Sequence, residues 1–258
     1  MLAEVHGLVL RTTDVGEFDR IITLYTRERG ILSASARGAR SLKSKKMSST
    51  AQFCYSTFIL EERQDKWRVK EATLIDSFFG LSESLEALAL GCYIVDVMSE
   101  AGTAEPEPDL LRLGLNSLYA LANRIADPKI VKGAFEMRVA GILGFTPAAV
   151  ECSVCGTKGG DFFFDVMAGA LLCRECYRRT ERTGTPLTDS HESHIVYQLT
   201  PSAKDAIVYA LYSPIEKLFS FRLDGDDIHL FSRAAEGYLL NHLERGFKTL
   251  DFYNEVKR

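Results

Sequence analysis

The sequence predicts an α+β protein in which a small β-barrel is followed by a helical domain that carries a four-cysteine insert. Three observations predict this class. Short alternating or continuous apolar runs fill the first part of the chain, apolar residues then recur at helical spacing, and two Cys-x-x-Cys pairs interrupt the helical part. The expected segments are 1–80 for the barrel, 81–149 for the first helical part, 150–180 for the insert and 181–258 for the second helical part.

The first segment has the pattern of five strands separated by turn residues and charge clusters. The fourth run is apolar on both faces, which is typical of a strand that forms part of a barrel. Five short strands in one small domain favour a closed barrel, for which the five-stranded OB-fold is the natural candidate. The runs are Val5–Leu10, Ile21–Tyr25, Ile31–Ala36, Gln52–Leu60 and Trp67–Ile75.

Three amphipathic helices are predicted before the insert. The first has Ser82 as its expected N-cap and ends at Gly102, and the second begins within Glu105–Asp109. The third begins at Asp127, an N-cap that a proline follows, and runs to Gly144.

After the insert the pattern changes twice. A polar loop is predicted over Gly184–His194. Helical spacing then resumes at about Ser202–Tyr212, Ser213–Phe221 and Asp227–Glu244, and the partly apolar tail Arg245–Tyr253 could dock on the core.

Four of the six cysteines form the pairs Cys152/Cys155 and Cys173/Cys176, with 17 residues between the pairs. This is the spacing of a zinc site with four thiolate ligands, and we expect one Zn²⁺. Four thiolates fill the tetrahedron and leave no place for an activated water, so the ion is expected to be structural. Disulfides and free buried thiols are the alternatives, and a reducing compartment disfavours the former.

The residues around the pairs predict a zinc ribbon. Gly156 follows the first pair and supplies the backbone freedom of a tight turn, whereas Tyr177 follows the second pair. Two strands are expected at Asp161–Asp165 and Ala168–Leu172, joined by a turn at Val166–Met167. Such a hairpin would bring the two cysteine pairs together.

Several classes of protein find no support in the sequence. With 46% apolar and 26% charged residues, the composition is that of a folded protein. The richest apolar stretch, Leu85–Met98, contains Glu86 and Asp96 and is too short for a membrane span. Met1–Arg11 lacks the pattern of a secretory signal, so we expect a cytoplasmic protein.

Enzyme motifs are not found either. A zinc deaminase needs His-x-Glu ahead of Pro-Cys-x-x-Cys, but His6 is the only histidine before the cluster, it is followed by Gly7 and Leu8, and no proline precedes either cysteine pair. The run His191–His194 lacks the i, i+4 spacing of a metalloprotease helix. The sequence therefore indicates a protein that binds but does not catalyse.

The net charge of −4 conceals a basic cluster. Residues 27–46 carry seven Lys or Arg against one acid, Glu28, and end in a Ser-rich loop that we expect to be flexible. A solvated loop explains this composition as well as a nucleic-acid contact does, but its place on an OB-like barrel favours the latter. Tyr25, Phe53 and Tyr55 could stack on bases if they are exposed. The candidate phosphate contacts are Arg37, Arg40, Lys43, Lys45 and Lys46.

Several short segments match one known family in the right order. The most specific are Gly7–Arg11, Gly16–Ile22 and Leu24–Gly30. The run Arg37–Arg40 and the Lys/Ser loop after it are similar to the family's pattern, as are the cysteine cluster with its internal Phe-Phe-Asp and the closing Leu250–Phe252. Over nearly its whole length the chain resembles the RecO family of bacterial DNA repair and recombination mediators.

The resemblance implies an N-terminal OB-fold, a helical domain and a zinc-binding insert within that domain. It also implies a protein that binds single- and double-stranded DNA and anneals complementary strands. Such a protein acts with RecR, contacts the C-terminal tail of SSB, helps to load RecA onto SSB-coated DNA, and works in the bacterial cytoplasm, at the nucleoid during repair. An acidic tail with an apolar end would suit an apolar groove in the helical domain, whose flank Lys129, Lys132 and Arg138 could form.

Two other hypotheses remain open. The chain could be a zinc-ribbon scaffold for protein partners, with an incidental basic loop and no direct role on DNA. It could also be a zinc-dependent nucleic-acid enzyme, which the closed four-cysteine site disfavours.

Overall fold

The computed structural model describes residues 1–183 and 195–257. The chain divides into two compact units: Met1–Asn123 with the residues from Phe247 onward, and Arg124–Gly246. The polar loop expected at Gly184–His194 lies outside the described residues, and so does the His191–His194 run within it. The division of the sequence into four segments stays a prediction.

In the described part of the first unit, five strands close into a barrel in the order β1-β2-β3-β5-β4. The long first strand closes it, because Leu2–Leu8 pairs with the fourth strand and Gly7–Val15 with the second, with a bulge between Val9 and Arg11. The pair β3/β5 is parallel and the other neighbours are antiparallel. The predicted OB-like barrel is confirmed. Its strands are β1 Leu2–Val15, β2 Asp19–Thr26, β3 Gly30–Ala36, β4 Tyr55–Arg63 and β5 Lys66–Asp76.

Alternating positions of the strands fill the barrel interior, as the pleat requires. In β4, Ser56, Phe58 and Leu60 are buried while the residues between them are half-buried, which agrees with a strand that lies between two others. Buried apolar side chains from all five strands form one core: Val5, Val9, Ile22, Leu24, Leu32, Phe58, Leu60 and Val69. Packing of this core holds the strands in place, and with them the points where the loops of the barrel begin and end.

The described residues contain seven α-helices. The first ends at Gly102 as predicted, but its N-cap is Ser84, whose Oγ accepts a hydrogen bond from the Ala87 amide, so the prediction of Ser82 was wrong. Ser82 lies instead in a short 3₁₀ turn, Phe79–Glu83, that precedes the helix. The helices are α1 Leu85–Ala101, α2 Pro108–Ala122, α3 Pro128–Ile142, α4 Arg174–Thr183, α5 Pro201–Tyr212, α6 Asp226–Leu243 and α7 Lys248–Val256.

In the second unit α3 packs against α5 and α6. Asp127 caps α3 as predicted, because its Oδ1 accepts the Lys129 amide at 2.8 Å. The helix predicted at Ser213–Phe221 was wrong: Pro214 follows the end of α5, and only the single turn Ile215–Lys217 is helical there. Among the described residues no helix has both the length and the apolar character needed to cross a bilayer.

A small antiparallel sheet lies in the same unit, with strands β6 Phe162–Asp165, β7 Ala170–Cys173 and β8 Val196–Leu199 in the order β7-β6-β8. The predicted hairpin is confirmed as β6 and β7. The third strand was not predicted, because four residues beyond a polar loop give too short a pattern to identify.

Candidate metal centre and nucleic-acid surface

The first cysteine pair sits in a tight turn that is tied to the ribbon. The Gly156 amide donates to the Cys152 carbonyl at 2.8 Å, and Gly156 has a φ of 72°, which is the left-handed conformation that its position in the sequence predicted. The Ser153 amide and hydroxyl both donate to the Leu171 carbonyl on β7, at 2.8 and 3.0 Å. The turn is therefore held against the strand that leads to the second pair.

The second pair has a different geometry, which explains why no glycine follows it. Cys173 is the last residue of β7 and Cys176 lies in the first turn of α4. A helical turn brings residues three apart onto one side, so no left-handed residue is required. Tyr177 instead stacks flat on Phe163 of β6, with ring centroids 4.1 Å apart, and joins α4 to the sheet.

The four sulfur atoms form one cluster. The Sγ atoms of Cys152, Cys155, Cys173 and Cys176 all lie within 4.8 Å of one another, and those of Cys155 and Cys173 are 3.7 Å apart. Thiolates at Zn–S distances of about 2.3 Å in a tetrahedron are separated by about 3.8 Å, whereas a disulfide needs about 2.05 Å. The donor set and its spacing fit a tetrahedral metal ion, so this cluster could bind one.

The environment of the thiols favours a cation among them. Burial alone would raise the pKa of the Cys152 thiol, but hydrogen bonds from backbone groups of Cys173, Cys155 and Val154 lower it to about 6. Burial and hydrogen bonds shared with the other three cysteines raise the pKa of Cys176 to about 12. Negative charges at this spacing oppose one another, so the cluster favours a divalent cation that neutralises several thiolates.

The basic loop between β3 and β4 consists of hydrogen-bonded turns, and the flexibility expected from its serines stays a prediction. Successive turns carry the backbone from Gly38 to Ala51, each closed by an amide-to-carbonyl bond. Ser49 and Thr50 are buried, and their hydroxyls donate to the Lys46 carbonyl. The Ser56 hydroxyl of β4 donates in turn to the Ser49 carbonyl at 3.0 Å. The serines and threonine thus satisfy the backbone of the loop at its anchored end.

Arg40 links the basic loop to the turn between β1 and β2. Its Nη1 donates to the carbonyls of Gly16 and Glu17 at 3.0 and 3.3 Å, and its Nε lies 3.2 Å from Asp14 Oδ2. The Arg40 amide donates to the Phe18 carbonyl at 3.0 Å. Much of the guanidinium's hydrogen-bonding capacity is therefore used within the protein.

The other candidate phosphate contacts differ in what they touch. Lys46 is half-buried and its Nζ donates to the Arg37 carbonyl at 2.7 Å. Arg37, Lys43 and Lys45 are exposed, and among the described residues they form no ion pair. Leu42 beside them is 90% exposed, so this part of the loop stands out from the barrel.

The aromatic residues proposed for stacking are mostly inaccessible. Tyr25 is wholly buried and Phe53 is 9% exposed, so neither presents a ring face to solvent, and Tyr55 is half-buried. Phe18, which the sequence analysis did not select, is 53% exposed in the β1–β2 turn. An aromatic residue two positions after Gly16 in a turn was the signal that could have identified it.

The groove flank expected from three basic residues of α3 was wrong for Lys132 and stays a prediction for Lys129 and Arg138. Lys132 is wholly buried, and its Nζ lies 2.9 Å from Glu136 and 2.7 Å from Glu236. Arg138 donates to the carbonyls of Ala210 and Ser213, both at 2.7 Å. These cations hold the helices of the second unit together, because lysine and arginine near the middle of a packed helix need internal partners.

Comparison with known proteins covers nearly the whole chain. The family model described as Recombination protein O N terminal matches residues 1–78, and that described as Recombination protein O C terminal matches residues 82–251. The chain is 35% identical over 254 residues to the DNA repair protein RecO of Pelotomaculum thermopropionicum, covering 97% of the chain and 93% of that protein. It is 28% identical over 257 residues to that of Acetivibrio thermocellus, at 99% and 97% coverage. It is 32% identical over 181 residues to that of Bacillus subtilis, at 69% and 70%.

Proposed function

Because this chain belongs to the RecO family of DNA repair proteins, whose members are recombination mediators and not enzymes, we propose that it binds single-stranded DNA on its barrel and anneals complementary strands. With RecR it would help to load RecA onto DNA coated with SSB, and the SSB tail would be a direct partner. Both single- and double-stranded DNA are expected ligands, bound in the bacterial cytoplasm at the nucleoid during repair.

The observation that carries this proposal is the exposed basic loop. Arg37, Lys43 and Lys45 are solvent-exposed cations on an otherwise acidic chain of net charge −4. Cations that contact phosphates release condensed counterions, which makes binding favourable and dependent on salt. They also reduce the repulsion between two DNA strands, which is the main obstacle to annealing. We assign Arg40 and Lys46 to the same surface, where they would add charge while they hold the loop in place.

The cysteine cluster would hold one structural Zn²⁺, bound by Cys152, Cys155, Cys173 and Cys176. Four thiolates leave no coordination position for water, so the ion would stabilise the ribbon and take no part in a reaction. A small three-stranded sheet buries too little apolar surface to be stable by itself, so the bound metal would crosslink and stabilise it.

Charge reversal in the loop tests the DNA-binding proposal. We expect Lys43→Glu with Lys45→Glu to weaken binding of a single-stranded oligonucleotide and to make the slope of log K against log salt shallower by about 1.4. Lys217→Glu with Lys248→Glu is the matched control, because both lysines are exposed and the change in net charge is the same. If both double variants lose affinity equally, or neither does, the loop is not the DNA contact.

Annealing of complementary oligonucleotides coated with SSB tests the rest of the proposal. The folded, zinc-loaded chain should accelerate annealing, and the acceleration should fall as salt rises. Absence of acceleration would contradict the annealing activity and favour a zinc-ribbon scaffold that acts through protein partners alone.

A further inference from the structure

The turn between β1 and β2 presents one exposed aromatic ring beside the basic loop. Phe18 is 53% exposed, so about half of this large apolar side chain faces solvent. Gly16 in the same turn has a φ of 59° and open space around its Cβ position, so the neighbourhood of the ring is accessible on that side of the turn. A role outside the protein would account for this ring.

The backbone of this turn is fixed by contacts on both sides. The Phe18 carbonyl accepts the Arg40 amide at 3.0 Å, and the two preceding carbonyls of the turn accept the Arg40 guanidinium. On the other side, Asp19 Oδ1 accepts the Gly38 amide at 2.8 Å. Arg20 and Arg40 both pair with Asp14, at 3.0 and 3.2 Å. The turn is therefore held against the start of the basic loop, so the residue that carries the ring lies beside that loop.

The surroundings of the ring select the kind of ligand. The loop that is hydrogen-bonded to this turn carries the exposed cations Arg37, Lys43 and Lys45, which suit a polyanion. An exposed ring face suits a flat, apolar surface, and bases supply one in a sequence-tolerant way. A nucleic-acid strand combines both features. In a duplex, however, the faces of the bases are covered by their neighbours, so only an unpaired base can reach the ring.

We propose that Phe18 is a stacking platform for an unpaired base of single-stranded DNA whose phosphates lie on the Arg37–Lys45 loop. This inference rests on the DNA-binding function proposed above and deepens it, since the ring distinguishes single strands from duplexes while the cations bind either. In OB-folds generally, the loop between the first two strands is a place where oligonucleotides bind, which agrees with this placement.

Substitutions of the ring test the proposal. Stacking on an aromatic side chain contributes about 5- to 150-fold to affinity per base, so Phe18→Leu should weaken binding of an oligo-dT strand within that range. Phe18→Leu keeps an apolar side chain and removes the ring, while Phe18→Tyr keeps the ring and is the matched control with nearly unchanged affinity. Binding of a duplex of the same length should not change. If Phe18→Leu binds oligo-dT as tightly as the wild type, or loses equal affinity for the duplex, the proposal is overturned.

A spectroscopic measurement separates stacking from an effect on folding. Trp67 is the one tryptophan of the chain, so Phe18→Trp in a Trp67→Phe background places a single reporter in the turn. We expect its fluorescence to be quenched when oligo-dT binds and to change little with duplex DNA. Binding without quenching overturns the stacking role and leaves the DNA-binding function intact. A wild-type chain that binds neither DNA overturns both.

Discussion

At the scale of single residues, burial decides what a cation does in this protein. Lys43 and Lys45 are exposed and available to a ligand, whereas Lys132 is wholly buried with Glu136 and Glu236 around its ammonium group. Glu136 is itself fully buried. A buried charge is tolerated only because its partners are close, so the three residues act as one unit.

Removal of the buried cation should destabilise the second unit strongly. Lys132→Met fits the volume but leaves two carboxylates without their ammonium partner, which costs about 3–5 kcal/mol of the free energy of unfolding. Lys129→Met, on the half-exposed part of the same helix, should change it by less than about 0.5 kcal/mol. Urea unfolding of both variants measures the difference. Equal stability of the two would show that the buried ion pairs contribute nothing to the fold.

At the scale of elements, glycines in the left-handed conformation lie near both ends of strand β3. Gly30 starts β3 with a φ of 58°, and a Cβ there would lie 2.4 Å from the Thr103 carbonyl oxygen. Gly38 has a φ of 63° at the start of the basic loop, but no atom lies within 4 Å of its Cβ position. The two glycines therefore have the same backbone conformation, but a Cβ would meet backbone atoms at Gly30 and open space at Gly38.

This contrast predicts different costs for the same substitution. Gly38→Ala should cost about 1 kcal/mol, the penalty of the left-handed conformation alone. Gly30→Ala adds a clash with backbone that cannot move aside and should cost about 3 kcal/mol or more. Thermal unfolding of the two variants tests this. A cost at Gly30 no larger than that at Gly38 would mean that the Thr103 backbone gives way easily.

The ribbon that carries the four cysteines is the second element whose role a substitution can test. Cys152→Ala with Cys155→Ala should abolish metal binding and lower the midpoint of thermal unfolding by roughly 10 °C, with a smaller effect on DNA affinity in the folded protein. Cys92→Ala, which removes a half-buried thiol from α1, is the control. Metal content by mass spectrometry and calorimetry provide the measurements. A cluster variant that is equally stable but fails to bind DNA would show that the ribbon itself contacts DNA.

At the scale of the whole molecule, the chain returns to its first unit at the end. The predicted docking of the tail is confirmed, since α7 packs on α1 with Phe247, Leu250 and Tyr253 buried. The Phe247 ring contacts Tyr93 edge to face at 5.6 Å, and the Thr249 hydroxyl donates to Asp96 at 3.0 Å. Residues far apart in sequence therefore share one core.

Each unit contains a buried tyrosine that predicts how the whole molecule responds to alkali. Burial raises the pKa of Tyr25 in the first unit, with a smaller effect of Glu107, and burial raises that of Tyr238 in the second, both from 10.0 to about 12. Below pH 10 both phenols are protonated in the folded and unfolded states, so they do not alter stability there. Between about pH 10 and 12 only the unfolded chain releases these protons, and the free energy of unfolding should fall by about 1.4 kcal/mol per pH unit for each tyrosine.

Denaturant unfolding across this pH range measures the loss, and phenolate absorbance reports which tyrosines ionise. The double variant Tyr25→Phe with Tyr238→Phe should lose less stability as pH rises. An identical pH dependence in wild type and variant would contradict the burial of these two phenols.

The sequence by itself determined most of the local structure and the four-cysteine cluster. Strand alternation, helical spacing and the N-cap at Asp127 act over a few residues, so they are visible in the chain without its fold. The same holds for the cysteine pairs, since metal-ligand spacing is a property of short turns. The OB-like barrel could be predicted from the number of strands, because five strands in a small domain have few ways to cover their edges.

Only the tertiary structure decided which side chains reach solvent, because burial depends on contacts between residues distant in sequence. Lys132 and Lys43 belong to the same residue type, yet packing of α3 against α6 encloses the first, while the second stands on a loop. Tyr25 is enclosed in the first unit and Phe18 is exposed, although both belong to the same short stretch of chain. Arg40 reaches a turn more than 20 residues away, and no local pattern in the sequence encodes that contact.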